Sequence, residues 1–295
     1  MTGKPYTMAS APPFRRAAII GTGLIGGSFA LALRHHFPDT FLVGFDRPEV
    51  LDRALARGAI QEAAASIENT VREADLVYVA LPVGETIESL PAIANSAEAY
   101  ALVTDAASTK RTVCKVAQAH FAKGACFLGG HPMAGKEQSG IDHAEAKLFR
   151  GAPYVLIGSQ ENSDERCKKF SGLLRDMGVK PVWCDADTHD WAVGIVSHVP
   201  QLLSLALARV VQDETDETGL PLSLAGQGLQ DMLRLSGSSY AVWRDILLTN
   251  IDNVSRALDR LTQAIDFLRT HLSSKELEQE FESANELHKL LRGQD

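Results

Sequence analysis

The run Ile19-Ile20-Gly21-Thr22-Gly23-Leu24-Ile25-Gly26-Gly27 restricts the possible folds of this chain more than any other segment. Residues 16–20 before it are short and apolar, the pattern of a strand buried on both faces. Residues 24–34 after it carry Phe29, Ala30 and Leu33 at helical spacing. A glycine-rich turn joining such a strand to a helix has a physical reason at each position. Gly21 permits the tight turn, Gly23 removes a side chain where a phosphate must approach, and Gly26 lets helix and strand pack closely. The first N–H groups of the helix and its positive dipole end then face the anion.

Asp46 closes the next apolar segment, residues 41–45, at the spacing where a carboxylate accepts hydrogen bonds from ribose hydroxyls. Together these residues form the fingerprint of a dinucleotide-binding Rossmann domain, with a nicotinamide dinucleotide as the expected cofactor. Leu24 and Ile25 in the turn, and Leu81-Pro82 at the end of a later strand, complete the expected contacts. The charge of Asp46 repels the extra phosphate of NADP and favours NAD. Arg47 can bind that phosphate, so NADP stays open. The alternative is a glycine-rich turn that holds no ligand.

Strand and helix patterns alternate onward. Residues 48–57 and 109–121 read as helices, and 76–81, 101–104 and 126–128 as strands. Such alternation predicts an α/β, doubly wound parallel sheet. Residues 154–157 and 179–183 read as further strands around a helix at 164–177. Beyond residue 187 no strand pattern is found. Residues 195–211, 246–272 and 275–291 carry apolar stripes at helical spacing, which serve either as core or as a subunit interface. The expected organisation is a flexible tail at 1–13, a dinucleotide-binding domain at 14–186, and an all-helical substrate and dimerisation domain at 187–295.

The chain has 295 residues and a net charge of −8, which argues against a nucleic-acid partner and requires a local basic site for any small anionic substrate. Cys114, Cys126, Cys167 and Cys184 lack metal-ligand spacing, so no metal is expected and reduced thiols of a cytoplasmic protein are. No apolar run of about 18 residues is found, so no membrane span is expected, and residues 1–13 lack the pattern of a signal peptide.

Ligands of open α/β sheets sit beyond the carboxyl ends of the strands. Two polar segments fall there, residues 104–110 and 129–140. The second places His131 at the tip of strand 126–128. A neutral imidazole there either takes a proton from an alcohol as hydride leaves its carbon, or serves as a hydrogen-bonded structural histidine.

The segment Gly129-Gly130-His131-Pro132-Met133-Ala134-Gly135-Lys136-Glu137-Gln138-Ser139-Gly140 resembles the hallmark of the prephenate/arogenate dehydrogenase family of tyrosine biosynthesis. Asp105-x-x-Ser108-x-Lys110, Val196-Ser197-His198-x-Pro200 and Trp243-Arg244-Asp245 resemble it too, in the family's order. The resemblance implies oxidative decarboxylation of a cyclohexadienol by NAD(P), with His131 as base and Ser108 beside the substrate hydroxyl and the nicotinamide. It implies Arg234 as the holder of a substrate carboxylate, and places His198, Gln201, Lys136 and Trp243 near the substrate. His198 either contacts ligand or is structural, and Trp243 either packs or lines the site. Lys136, where many relatives carry a small polar residue, either attracts the second carboxylate of prephenate or is a solvated charge. The helical domain is then the family's homodimer interface, and the length leaves no room for a fused mutase or regulatory domain. Two other readings remain open: another Rossmann dehydrogenase of the β-hydroxyacid or imine reductase type, and a non-catalytic dinucleotide sensor.

Overall fold

Arg16–Ile20 forms β1, with its last four residues buried. Its alternate side chains serve two cores: Ala17 and Ile19 on one face, Ala18 and Ile20 on the other. Burial on both faces is why parallel strands read as unbroken apolar runs. The computed structural model describes residues 12–293 apart from Lys123, Glu137, Asn162 and Asp216. Most of the expected tail, and Glu137 of the second polar segment, therefore lie outside the described residues.

After β1 come α1 (Leu24–His36), β2 (Phe41–Phe45), α2 (Pro48–Ala56), β3 (Glu62–Ala63), α3 (Ile67–Val71), β4 (Leu76–Val79), α4 (Val83–Ser96), β5 (Leu102–Asp105), α5 (Arg111–His120) and β6 (Cys126–Leu128). The six strands are parallel in the order β3-β2-β1-β4-β5-β6, which is the doubly wound dinucleotide-binding arrangement. Phe29 of α1 stacks on Tyr78 of β4 with ring centroids 3.8 Å apart, fixing that helix over the sheet.

The later strands do not extend this sheet. β7 (Gly130–Pro132), β8 (Pro153–Ile157) and β9 (Lys180–Cys184) make a second sheet in that order, β7 antiparallel and β9 parallel to β8. The Tyr154 hydroxyl of β8 donates to that of Tyr78 at 3.2 Å, joining the two sheets. Both phenols are fully buried, and burial pushes both well above their ordinary pKa. α6 (Glu165–Asp176) connects β8 to β9, its N-terminus capped by Asp164, which accepts from the Arg166 N–H.

The remainder is helical: α7 (Ala186–Val193), α8 (Val199–Glu214), α9 (Leu220–Ser223), α10 (Gln227–Leu233), α11 (Tyr240–Thr249), α12 (Ile251–Thr270) and α13 (Glu276–Arg292). The stripe expected over 246–272 is broken at Asn250 into two helices. Between α7 and α8 the five residues Gly194–His198 form a π-helical turn, a feature often found at functional sites.

The structure separates into two compact units. One runs to His189 and adds Tyr240–Thr249; the other takes Asp190–Ser239 and Asn250 onward. α11 therefore joins the nucleotide unit, although its sequence neighbours lie in the helical one. One expectation needs correcting. Ala186–Glu214 is a continuous helical run long and apolar enough, by length and composition alone, to cross a membrane, a property it shares with core helices of other folds. His189, Asp190, His198 and Gln201 interrupt it, which is why residue-by-residue reading passes over it.

Candidate active site

The glycine turn has the geometry a dinucleotide requires. Gly21 has φ +87°, and a β carbon there would come within 2.4 Å of the Ala80 carbonyl oxygen. At Gly26 a β carbon would lie 1.8 Å from the Gly21 oxygen. Gly23 differs: a β carbon would meet nothing within 4 Å, so packing within the protein does not demand glycine there. An approaching phosphate does. α1 begins at this point with no side-chain cap and no acidic residue in its first turn, which leaves its positive end directed at an anion. Leu24 and Ile25 are half-buried in that turn.

Asp46 is held in place from two sides. Its Oδ2 accepts from the Thr22 N–H at 2.7 Å, and its Oδ1 from the Arg47 N–H at 2.8 Å. It borders an open cavity of about 640 Å³ whose walls include Phe45, Leu51, Ala64 and Leu81. Arg47, Asp52 and Glu85 also line it, and a largely apolar hollow with Asp46 fixed at its edge suits an adenosine. Arg47 is exposed and lies 3.7 Å from Glu49. Pro82 forms the N-cap of α4 next to the half-buried Leu81.

His131 is not the tip of the parallel strand that precedes it, contrary to the sequence reading. It is the middle residue of β7, which leaves that sheet and pairs with β8. Gly129 and Gly130 permit the change: β carbons there would approach Cys114 Sγ to 2.8 Å and the Asp105 oxygen to 2.6 Å. The imidazole is nearly buried, at 9% exposure, and its Nδ1 lies 2.9 Å from Nε2 of His189. His189 sits in the first turn of α7, which is initiated by Asp185: this carboxylate accepts from the Thr188 N–H at 2.9 Å and from its hydroxyl at 2.6 Å. Ser108 is half-buried in the loop between β5 and α5.

α11 closes over the same loop. Thr249 and Thr109 hydroxyls are 2.7 Å apart, Ile246 enters the core behind β4 and β5, and Trp243 packs partly buried against it. Asp245 accepts from the Gly84 N–H at 3.1 Å, one of the free donors at the α4 N-terminus, and Arg244 at 2.7 Å holds its carboxyl below the usual range.

Lys136 is paired with Glu145 at 2.5 Å, and this ammonium draws the Glu145 carboxyl below its ordinary pKa. Glu145 compensates its charge within the same unit.

In the helical unit His198 is buried on the π-helical turn, with Nδ1 3.2 Å from the side-chain nitrogen of Asn250. That nitrogen also donates to the Asp190 carbonyl at 2.7 Å, and Asn253 donates to the Asn250 oxygen at 2.8 Å. Gln201 is buried one turn further along α8. Arg234 is exposed where α10 passes into a 3-10 turn. Sequence reading assigned no role to His189, Asp245 or Asn250. Asn250 did not stand out, because apolar periodicity continues on both sides of it. His189 and Asp245 bond to residues far away in sequence, and no local pattern identifies those partners.

Comparison with known proteins completes this description. The family described as prephenate dehydrogenase, nucleotide-binding domain, matches residues 29–183, and prephenate dehydrogenase, dimerization domain, matches residues 185–292. A prephenate dehydrogenase of Bacillus subtilis is 34% identical over 265 residues, covering 89% of this chain and 71% of that protein. The crystal structure of prephenate dehydrogenase from A. aeolicus in complex with hydroxyphenyl propionate and NAD+ superimposes with TM-score 0.83 at 28% identity, over 94% of this chain and 97% of the other. Synechocystis arogenate dehydrogenase gives TM-score 0.73 at 30% identity, over 94% and 96%.

Proposed function

Because this chain belongs to the prephenate dehydrogenase family, we propose that it is an NAD-dependent oxidoreductase that converts prephenate, arogenate or both by oxidative decarboxylation in tyrosine biosynthesis. The dinucleotide, when bound, accepts the hydride. His131 takes the proton of the ring hydroxyl as the C–H bond breaks and the carbonyl forms. The carboxylate then leaves as CO2, its electron pair passes through the ring to the oxygen, and that oxygen recovers the proton. The products are 4-hydroxyphenylpyruvate from prephenate and tyrosine from arogenate. Ser108 orients the hydroxyl, and Arg234 binds a substrate carboxylate with its bidentate fork.

The observation that carries this reading is the hydrogen-bonded pair His131–His189 in the unit that also holds the glycine turn. A dinucleotide sensor has no use for an oriented imidazole. The Asp46 carboxylate beside the cavity favours NAD over NADP. The domain plan of the reading is a nucleotide domain over 14–186 supplemented by α11, and a helical domain over the rest of 187–295 that pairs with a second copy. Exposed apolar residues of that helical part, among them Trp191, Val196, Ile265 and Leu268, suit such a pairing. Four cysteines, none in a disulfide, suit a reducing cytoplasm. The direct test is NADH absorbance after mixing the protein with NAD and either substrate. Formation of NADH with release of CO2 is expected; none with either substrate would overturn the assignment.

A further inference from the structure

β7 is an edge strand, and the backbone on its outer side faces away from β8. Ile157 N–H donates to the Gly129 carbonyl and Met133 N–H to the Pro153 carbonyl, both at 2.9 Å. In an antiparallel pair this assigns residues 129, 131 and 133 to the bonded positions and turns both backbone groups of Gly130 outward. An edge in that position normally leaves its N–H and C=O to solvent, and buried it must find partners. Gly130 finds two charges. Asp105 Oδ1 accepts its N–H at 3.0 Å, and Lys110 Nζ donates to its carbonyl at 2.7 Å. The second Asp105 oxygen accepts from the Ala107 N–H at 2.9 Å and pairs with the Lys110 ammonium. Both side chains are fully buried.

Burying an ion pair is a poor route to stability, because desolvation cancels much of the attraction. What this pair supplies is direction: carboxylate and ammonium act together as a one-residue neighbouring strand. Asp105 and Lys110 bracket Ser108 in sequence, and Gly130 directly precedes His131. We propose that the Asp105–Lys110 pair is a positioning device that fixes His131 relative to Ser108 for proton transfer, without either residue touching substrate. The proposal rests on His131 being the base of the reaction above.

Lys110→Met removes the carbonyl donor, and the double variant Asp105→Asn/Lys110→Met removes it without leaving a lone buried charge. The expected result is a fall in kcat of about 10²-fold, the scale of an ångström-level misplacement, with substrate KM and the NAD dissociation constant within about threefold of wild type. Lys110→Arg, which keeps a donor, should recover part of the loss. Unchanged kcat, or kcat, KM, NAD affinity and melting temperature all deteriorating together, would overturn the proposal, as would failure of both the single and the double variant to fold. A second readout does not depend on turnover. In protein labelled with ¹⁵N-histidine, the His131 and His189 ring signals should move in the double variant while those of His35 and His36 stay. Wild-type protein inactive on both substrates would refute the reaction but not the clamp, and unmoved His131 signals would refute the clamp alone.

Discussion

Nδ1 of His131 stands 2.9 Å from Nε2 of His189, so each imidazole sets the tautomer of the other. If His131 donates through Nδ1–H, its Nε2 carries the lone pair a base needs; the reverse arrangement puts a proton on Nε2 and disables it. In the proposed mechanism His189 therefore governs which nitrogen of His131 is available as the base.

Replacing His189 by Ala should lower kcat by roughly 10–100-fold, the range over which partners that orient metal-bound histidines act, with the substrate KM little changed. A Gln at the same position, which can still accept through its carbonyl oxygen, should lose less. Steady-state kinetics of the two variants provides the check, and equal losses would mean that the hydrogen bond is not what matters.

His131→Asn should reduce kcat by roughly 10²–10⁴, the contribution of a general base, while NAD binding is retained. In the wild type kcat/KM should rise with pH, since only the neutral ring accepts a proton, and fall in acid as the ring is protonated. The Asn variant should lose that limb of the profile. A pH-rate curve of unaltered shape would assign the proton to another group.

Arg234→Ala should raise substrate KM by roughly 10- to 150-fold, corresponding to the loss of a charged hydrogen bond worth about 1.5–3 kcal/mol. Turnover at saturation should change less. A KM equal to that of wild type would remove Arg234 from the substrate.

Asp46→Ala should narrow the preference for NAD over NADP, mainly by improving NADP, because the repelling carboxylate beside the cavity is gone. The ratio of kcat/KM for the two cofactors measures it. A ratio that stays constant would place discrimination in another part of the site.

Lys136→Met should leave the KM for prephenate within about twofold, since Glu145 already compensates the ammonium and surface ion pairs are weak. A large increase would restore Lys136 as a substrate contact.

The parallel sheet was readable because its signals are local. β1, the glycine turn and Asp46 lie within one short stretch, and each has a backbone reason to be what it is. The departure of β7 from that sheet was not readable, because Asp105 and Lys110, the groups that meet its outward-facing backbone, are distant from it in sequence. The motif around Ser108 was visible, yet its two charged ends gave no hint that they grip the backbone of Gly130. The break at Asn250 was hidden for the opposite reason. Apolar periodicity continues across it, and only the buried polar knot with His198 and Asp190 explains why the helix stops.

The position of α11 has a practical corollary for anyone cutting this polypeptide. Since Tyr240–Thr249 belongs with the nucleotide unit, the backbone passes from one unit to the other three times, near residues 189, 239 and 249. A truncation after residue 186 would strip away the carboxylate that caps Gly84 and the side chain of Ile246, baring an oily seam and a helix end at once. Fusion and shuffling experiments that treat the halves as interchangeable cassettes would inherit a wound in the very lobe they meant to preserve.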